Sequence, residues 1–341
     1  MRLGEVRGVR RAAVAAVLLA TLAGGRPDDA RGQEFPRGRT EVEGVTELAG
    51  LCAGGNAGRM SPCRELVLAA MAVQRGVGLA SALGSDVPGT ASTAGRRMGS
   101  VPRLGFAVAA NGIGIGMPRV AASSVEGLAE EATPSVAGLR AVVSAGIVEG
   151  FQLAPGTGGI FSADLIASYS RLWLPEAEGF GGPSSGVGLG ARVGILRESF
   201  TMPGLSVSVA RHWHETIRTG DVSEGNPGEM ETDLEVTSLR AMLGKNWFIV
   251  GLMAGAGWDR YEGDATVSAV GSVDDPGAVS GRIASERTVY FVSAWYSFLV
   301  SQLSLEVGMA DGVSDPFEGR SGGYDPSGRS WFASLALRVT P

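Results

Sequence analysis

Ten segments of strand length, rich in apolar residues and glycine, fill residues 101–340, and the connections between them alternate between long polar loops and tight turns. A sheet in water has no reason to sort its connections by side. A barrel threaded through a bilayer does, leaving short turns on one rim and long loops on the other. The segments fall at 101–119, 136–149, 158–173, 185–198, 204–217, 231–243, 246–260, 282–297, 299–311 and 328–340. Connections 120–135, 174–184, 218–230, 261–281 and 312–327 are long; those around Pro155-Gly156, Met202-Pro203-Gly204, Gly244-Lys245 and Phe298 are short. Every long connection then shares one side and both ends of the barrel share the other, which requires an even strand count. The first segment changes phase near Asn111-Gly112, so it either carries a bulge or is a hairpin, and a hairpin needs an extra strand in the connector to keep the count even, giving twelve.

A two-residue period runs within the segments. In the last one Trp331, Ala333, Leu335, Leu337 and Val339 share a face against Ser330, Ser334, Ala336, Arg338 and Thr340, with Phe332 the exception. Phe161, Ala163, Leu165, Ala167 and Tyr169 oppose Ser162, Asp164, Ser168 and Ser170 in the same way, and Val187, Leu189, Ala191, Val193 and Ile195 oppose Gly190, Arg192 and Gly194. One face suits lipid, the other a polar lumen. Trp173, Trp213, Trp247, Trp258, Trp295, Trp331 and Tyr169 lie near segment ends, where aromatic rings anchor barrels at headgroup depth. Gly, at 53 residues, is about twice ordinary usage and has no three-residue period, which suits small lumen positions and bends.

The first 32 residues read as an export signal. Arg2, Arg7, Arg10 and Arg11 precede an apolar run over 12–23 too short to cross a bilayer as a helix, and Ala30-Arg31-Gly32 offers a cleavage site. Residues 33–100 then form a periplasmic N-terminal segment and 101–341 the barrel. Residues 33–50 have no clear period and read as a tail. Ser61-Pro62 opens a short helix at 61–75, with Leu66, Ala69, Ala70 and Val73 at helical spacing before Gly76, and it is expected to rest against the periplasmic rim rather than plug the mouth. Residues 76–100 read as a connector. Cys52 and Cys63 can oxidise in an exported chain, and closing that loop is worth about 3 kcal/mol.

These features resemble Gram-negative outer-membrane β-barrel proteins over 101–341, as a class and without a specific family motif. Such barrels usually finish on an aromatic residue, whereas this chain finishes Val339-Thr340-Pro341. The resemblance implies an all-β, closed antiparallel transmembrane barrel of about ten strands, monomeric, with outer-membrane lipid and the barrel-assembly machinery as partners. Net charge is −6 without basic runs, so there is no footprint for nucleic acid, and no motif calls for a cofactor.

Arg140, Asp164, Arg192, Gln302, Glu306 and Arg338 are expected to face the lumen, either as a constriction that selects a small solute or as ion pairs filling a narrow interior, which is the preferred reading. His212 and His214 point to one face near the outer end, with Asp221, Glu231 and Asp233 as neighbours, a weak candidate for a metal or for surface hydrolysis. Gly182-Pro183-Ser184-Ser185-Gly186 matches G-x-S-x-G but enters a strand, where a nucleophile elbow needs a helix. The leading functional expectation is a passive channel or small-solute transporter. A structural or surface-interaction barrel with a filled lumen is the alternative, and a surface hydrolase the third reading.

Overall fold

The computed structural model describes residues 42–91, 103–148, 150–151, 161–269, 278–317 and 323–340. Ten antiparallel strands form the wall: β1 (Leu104–Gly114), β2 (Ser135–Val148), β3 (Ser162–Trp173), β4 (Ser184–Leu196), β5 (Gly204–Thr219), β6 (Gly228–Trp247), β7 (Val250–Ala269), β8 (Val279–Phe298), β9 (Ser301–Ala310) and β10 (Ser330–Val339). Each pairs with its neighbours in sequence, and β10 returns to β1 through the register Phe332↔Ile113 to Val339↔Phe106, so the ring closes. Lipid demands that closure, because it offers no partner to a free backbone N–H or C=O. Within the first segment the wall strand runs unbroken through Asn111, which faces inward, and Met117–Pro118 pairs with Glu131–Ala132 outside the wall, so the wall has ten strands and not twelve.

Exposure alternates along the wall. β1 exposes Leu104, Phe106, Val108 and Ala110 and buries Gly105, Ala107, Ala109 and Asn111. β10 exposes Trp331, Ala333, Leu335 and Leu337 and buries Phe332, Ser334, Ala336 and Arg338. A continuous apolar outer surface of this kind belongs in lipid, since water does not tolerate a patch so large. On β8 the outward residues are Tyr290, Val292, Ala294, Tyr296 and Phe298. From Tyr290 to Val300 a tilted strand descends about 25 Å, the height of a lipid-facing band. Tyr169, Trp173, Tyr290 and Trp331 ring its upper edge and Phe106, Trp247 and Tyr296 its lower one. Trp295 is a correction to the aromatic anchors: it is buried inside the barrel, where its Nε1 donates to Asn246 Oδ1 at 2.8 Å.

Strands β6, β7 and β8 each have 20 residues, about twice what the band requires. Their upper halves stand beyond it, and there the polarity of the wall inverts. Glu231, Asp233, Glu235, Arg260, Glu262, Asp264, Arg282 and Glu286 take the outer face. Arg260 and Arg282 both reach Glu262, at 3.3 and 3.6 Å, and Arg211 on β5 pairs with Glu235. Inside are Met230, Leu234, Val236, Tyr261, Ala265, Val267, Ile283 and Val289, all buried. Residues 261–269, expected in a long loop, are therefore strand.

That apolar inner wall is covered by two helices, α1 (Val45–Ala53) and α2 (Ala57–Ser81). Both depart from expectation. α1 occupies residues read as a tail. α2 starts at Ala57, capped by Asn56, whose side chain accepts from the Gly58 N–H at 2.9 Å, and it lies inside the barrel instead of against a rim. Leu66 to Val73 and Val77 to Ser81 are buried without a break, and a helix apolar on all sides has to be surrounded. Gly76 does not end the helix. It and Gly78 let α2 approach the wall, because a Cβ there would collide with Ile115 and with Tyr261. The Cys52–Cys63 disulfide joins α1 to α2 with the Cα atoms 5.7 Å apart.

Val42 and Glu43 pair in parallel with Gly281 and Arg282 near the top of β8. From there the chain descends through the lumen from the long-loop rim as far as Ala91, which lies against Gly244, and β1 begins at the short-turn rim. Two short connections also move. The expected turn at Gly244-Lys245 lies at Phe248-Ile249, because Gly244 is an inward strand position pressed against Ala91, and the turn near Phe298 is Leu299-Val300.

Unboiled protein is expected to run as a compact species on an SDS gel and to shift on boiling. Gly78→Leu, which overpacks the space held by Tyr261 and Val236, should lower the temperature of that shift through a cost of about 1–3 kcal/mol. Gly112→Ala, with nothing near its missing Cβ, should leave it in place; equal behaviour of the two variants would contradict the lumen placement of α2.

Candidate functional site in the barrel lumen

A helix that ends inside a barrel leaves carbonyls in need of donors. Arg240, inward on β6, supplies them: its Nε donates to Gly84 O at 3.0 Å and its Nη2 to Ala82 O at 2.9 Å. The guanidinium charge also sits at the negative end of the helix dipole. Asp259 on β7 holds the same guanidinium in a two-pronged pair, Nη1 to Oδ1 at 2.6 Å and Nη2 to Oδ2 at 2.9 Å, with both side chains fully buried. The Tyr261 hydroxyl donates to Asp259 Oδ2 at 2.9 Å, and Asn111 Nδ2 donates to Ala80 O at 2.8 Å.

Above this lock Gln74 Nε2 donates to Thr232 Oγ1 at 2.7 Å, and Arg75 Nη2 donates to the Tyr324 hydroxyl at 2.7 Å, tying the β9–β10 loop onto α2. Below it the descending chain is gripped again. Asp86 accepts from the Ser208 hydroxyl and lies 3.9 Å from Arg140 Nη2, and the Ser85 N–H donates to Glu306 Oε1 at 3.2 Å.

Arg140, Asp164, Arg192, Glu306 and Arg338 are buried lumen residues, and Gln302 is half-buried at the lower rim beside Gly89. They do not form one constellation. Asp164 Oδ2 accepts from Arg192 Nε and Nη2 at 3.1 and 2.9 Å, Arg140 faces Asp86, and Glu306 holds Ser85. Sequence reasoning missed Arg240, Asp259 and Asp86. The first two share the inward parity of their strands, a readable signal; Asp86 lies in a stretch with no period.

His212 and His214 also point into the lumen, and the missing side chains of Gly188 and Gly186 make room for their rings. His212 Nε2 and both His214 nitrogens have no hydrogen-bond partner among the described residues. The expected acidic neighbours are elsewhere, which corrects the rim cluster. Glu231 pairs with Arg218, and Asp233 Oδ1 accepts from the Thr216 hydroxyl at 2.5 Å, both on the outer wall. Asp221 folds its own loop, and donation from the Ser223 hydroxyl and N–H holds its carboxyl below the ordinary range. No group of three or more His, Cys, Asp or Glu able to hold a metal occurs among the described residues. Ser184 opens β4 directly, so the G-x-S-x-G match has no helix behind it.

A cavity of about 910 Å³ opens at the short-turn rim, lined by Arg103, Arg197, Glu198, Lys245 and Arg338 among others. Higher up, the void beside Arg140, Asn111 and Glu306 is about 10 Å³, about enough for a single water.

No family model matches the chain, and no curated protein matches it. Among solved structures it is similar to the translocator domain of the autotransporter NalP from Neisseria meningitidis, at 10% identity and a TM-score of 0.37, covering 70% of this chain and 88% of that one. It is also similar to Ail, the attachment invasion locus protein of Yersinia pestis, at 9% identity and a TM-score of 0.27, covering 70% and 97%. The Pseudomonas putida toluene transporter TodX follows at 9% identity and a TM-score of 0.29, covering 75% and 95%. Values this low assign no family and no activity.

Arg240→Ala strands Asp259 in the interior and should destabilise the barrel by about 3–5 kcal/mol, read as a lower temperature for the gel shift. Arg240→Ala combined with Asp259→Ala should recover part of that loss, because neither member of the pair is then left buried without the other; a double variant as weak as the sum of both singles would contradict the pairing.

Proposed function

We propose that this protein is an outer-membrane barrel sealed by its own N-terminal helix, serving as a structural or surface-interaction element that displays its long loops and the α1–α2 hairpin outside the cell. What supports the reading is the occupied lumen: α2 fills the upper half, Arg240 and Asp259 fasten its end, and residues 82–91 continue below. The charged outer face of β5 to β8 beyond the lipid band supports the orientation, since those strand halves belong in water. The export signal over 1–32 lies outside the described residues and remains part of the proposal, with assembly-machinery partners and a monomeric state. A channel or small-solute transporter is the second reading, favoured by the open cavity at the lower rim, and it requires α2 to move. A surface hydrolase has less behind it, because His212 and His214 face inward with no acid hydrogen-bonded to them among the described residues.

In planar bilayers the intact protein should give no steady conductance steps, and removal of residues 57–91 should give stable ones. Regular open steps from the intact protein would sink the sealed reading. An epitope placed between Gly54 and Gly55, the exposed turn of the hairpin, should bind antibody on intact cells; binding only after permeabilisation would reverse the orientation.

A further inference from the structure

We propose that the cavity at the short-turn rim binds the phosphate headgroup of an anionic phospholipid from the inner leaflet. The inference rests on the membrane placement of the barrel, which the gel shift and conductance measurements test separately. Among the described residues the cavity is lined by four cations, Arg103, Arg197, Lys245 and Arg338, and one acid, Glu198. Glu198 is committed. It accepts from the Asn246 backbone N–H and side-chain amide and lies 3.7 Å from Lys245 Nζ, fastening the β4–β5 turn to β6.

No ion pair joins Arg103, Arg197 or Arg338 to an acid among the described residues. Arg338 is 4% exposed, and its Nε has no hydrogen-bond partner among those residues. Asp164, an acid near it, already accepts two bonds from Arg192. A buried guanidinium without a counter-ion is costly. A phosphate, which arginine recognises through paired N–H donors, relieves that cost.

The lip of the cavity identifies the source of the phosphate. Phe200, Phe248 and Leu299 line the mouth with exposures of 93%, 99% and 103%. Phe248 and Leu299 adopt φ of 58° and 53°, a left-handed conformation that two-residue turns normally give to Gly or Asn. Bulky apolar residues kept there at a backbone cost indicate a use for their side chains. These turns sit at the lower edge of the lipid-facing band, where phospholipid glycerol and acyl groups lie beside the headgroup plane. A free phosphate would need the arginines alone; an amphiphile uses the lip as well.

The test uses the full chain in mild detergent, with phosphatidylglycerol, phosphatidylcholine and inorganic phosphate as probes and native mass spectrometry and thermal shift as readouts. Phosphatidylglycerol should be retained about tenfold better than phosphatidylcholine, the size of one charge-assisted hydrogen bond. Arg103→Gln with Arg197→Gln, at positions outside the buried core, should erase that preference while the gel shift stays intact. Phe248→Ser with Leu299→Ser should weaken phosphatidylglycerol and leave the response to inorganic phosphate unchanged. Equal retention of the two lipids by the unaltered protein, or a preference that survives loss of both arginines, overturns the proposal. Inorganic phosphate binding as tightly as phosphatidylglycerol overturns the lipid as its source.

Discussion

The inner wall of the upper barrel is apolar, and something apolar has to cover it. That requirement organises the molecule. Below the upper aromatic ring the wall follows the membrane rule, greasy outside and polar within; above it the wall follows the rule of a soluble protein, charged outside and apolar within. Without a filling, Tyr261, Val267, Ile283 and Val289 would meet water. α1 and α2 supply that filling, and the hydrophobic effect thereby draws the N-terminal segment into the lumen.

Magnitudes separate what holds α2 from what positions it. Burying each large apolar side chain contributes about 1.5–3 kcal/mol, and Leu66, Leu68, Val73 and Leu79 are only part of the buried set. A buried ion pair returns little net stability, since desolvation offsets most of its attraction. Apolar burial therefore holds the helix in, whereas Arg240 and Asp259 set its depth. Arg240, held by Asp259, donates to the carbonyls of Ala82 and Gly84, which exist as free acceptors only where the helix stops, so sliding by one turn would break those bonds.

Much of the wall was legible because lipid imposes a period of two and because long and short connections keep to their sides. Leu335, Leu337 and Arg338 could be assigned to faces from parity alone, and Phe332, the exception in its strand, is inward as its parity requires. Legibility failed where the solvent changed. Glu262 and Asp264 look like loop residues to an eye expecting lipid outside, although Tyr261, Ala265 and Val267 keep the strand period. Gly76 and Gly244 looked like a stop and a turn, and both are places where chain presses on chain. Glu231 and Asp233 lie on the opposite side of the wall from the histidines, because His212 and His214 pair with Val236 and Leu234, the inward positions of β6, and the two acids occupy the alternate, outward ones. Asp86 carried no signal, since its partners Ser208 and Arg140 come from strands far along the chain.

Because the ring of ten strands is hydrogen-bonded all the way round, the segment running down its axis is enclosed like thread in a needle's eye. The order of assembly follows. Either the sheet wraps around a helix already in position, with β10 meeting β1 last, or the hairpin of α1 and α2 must be passed lengthwise through a finished hoop. A hairpin already cross-linked between Cys52 and Cys63 is two helices wide, so the second route favours a chain that oxidises only after passage.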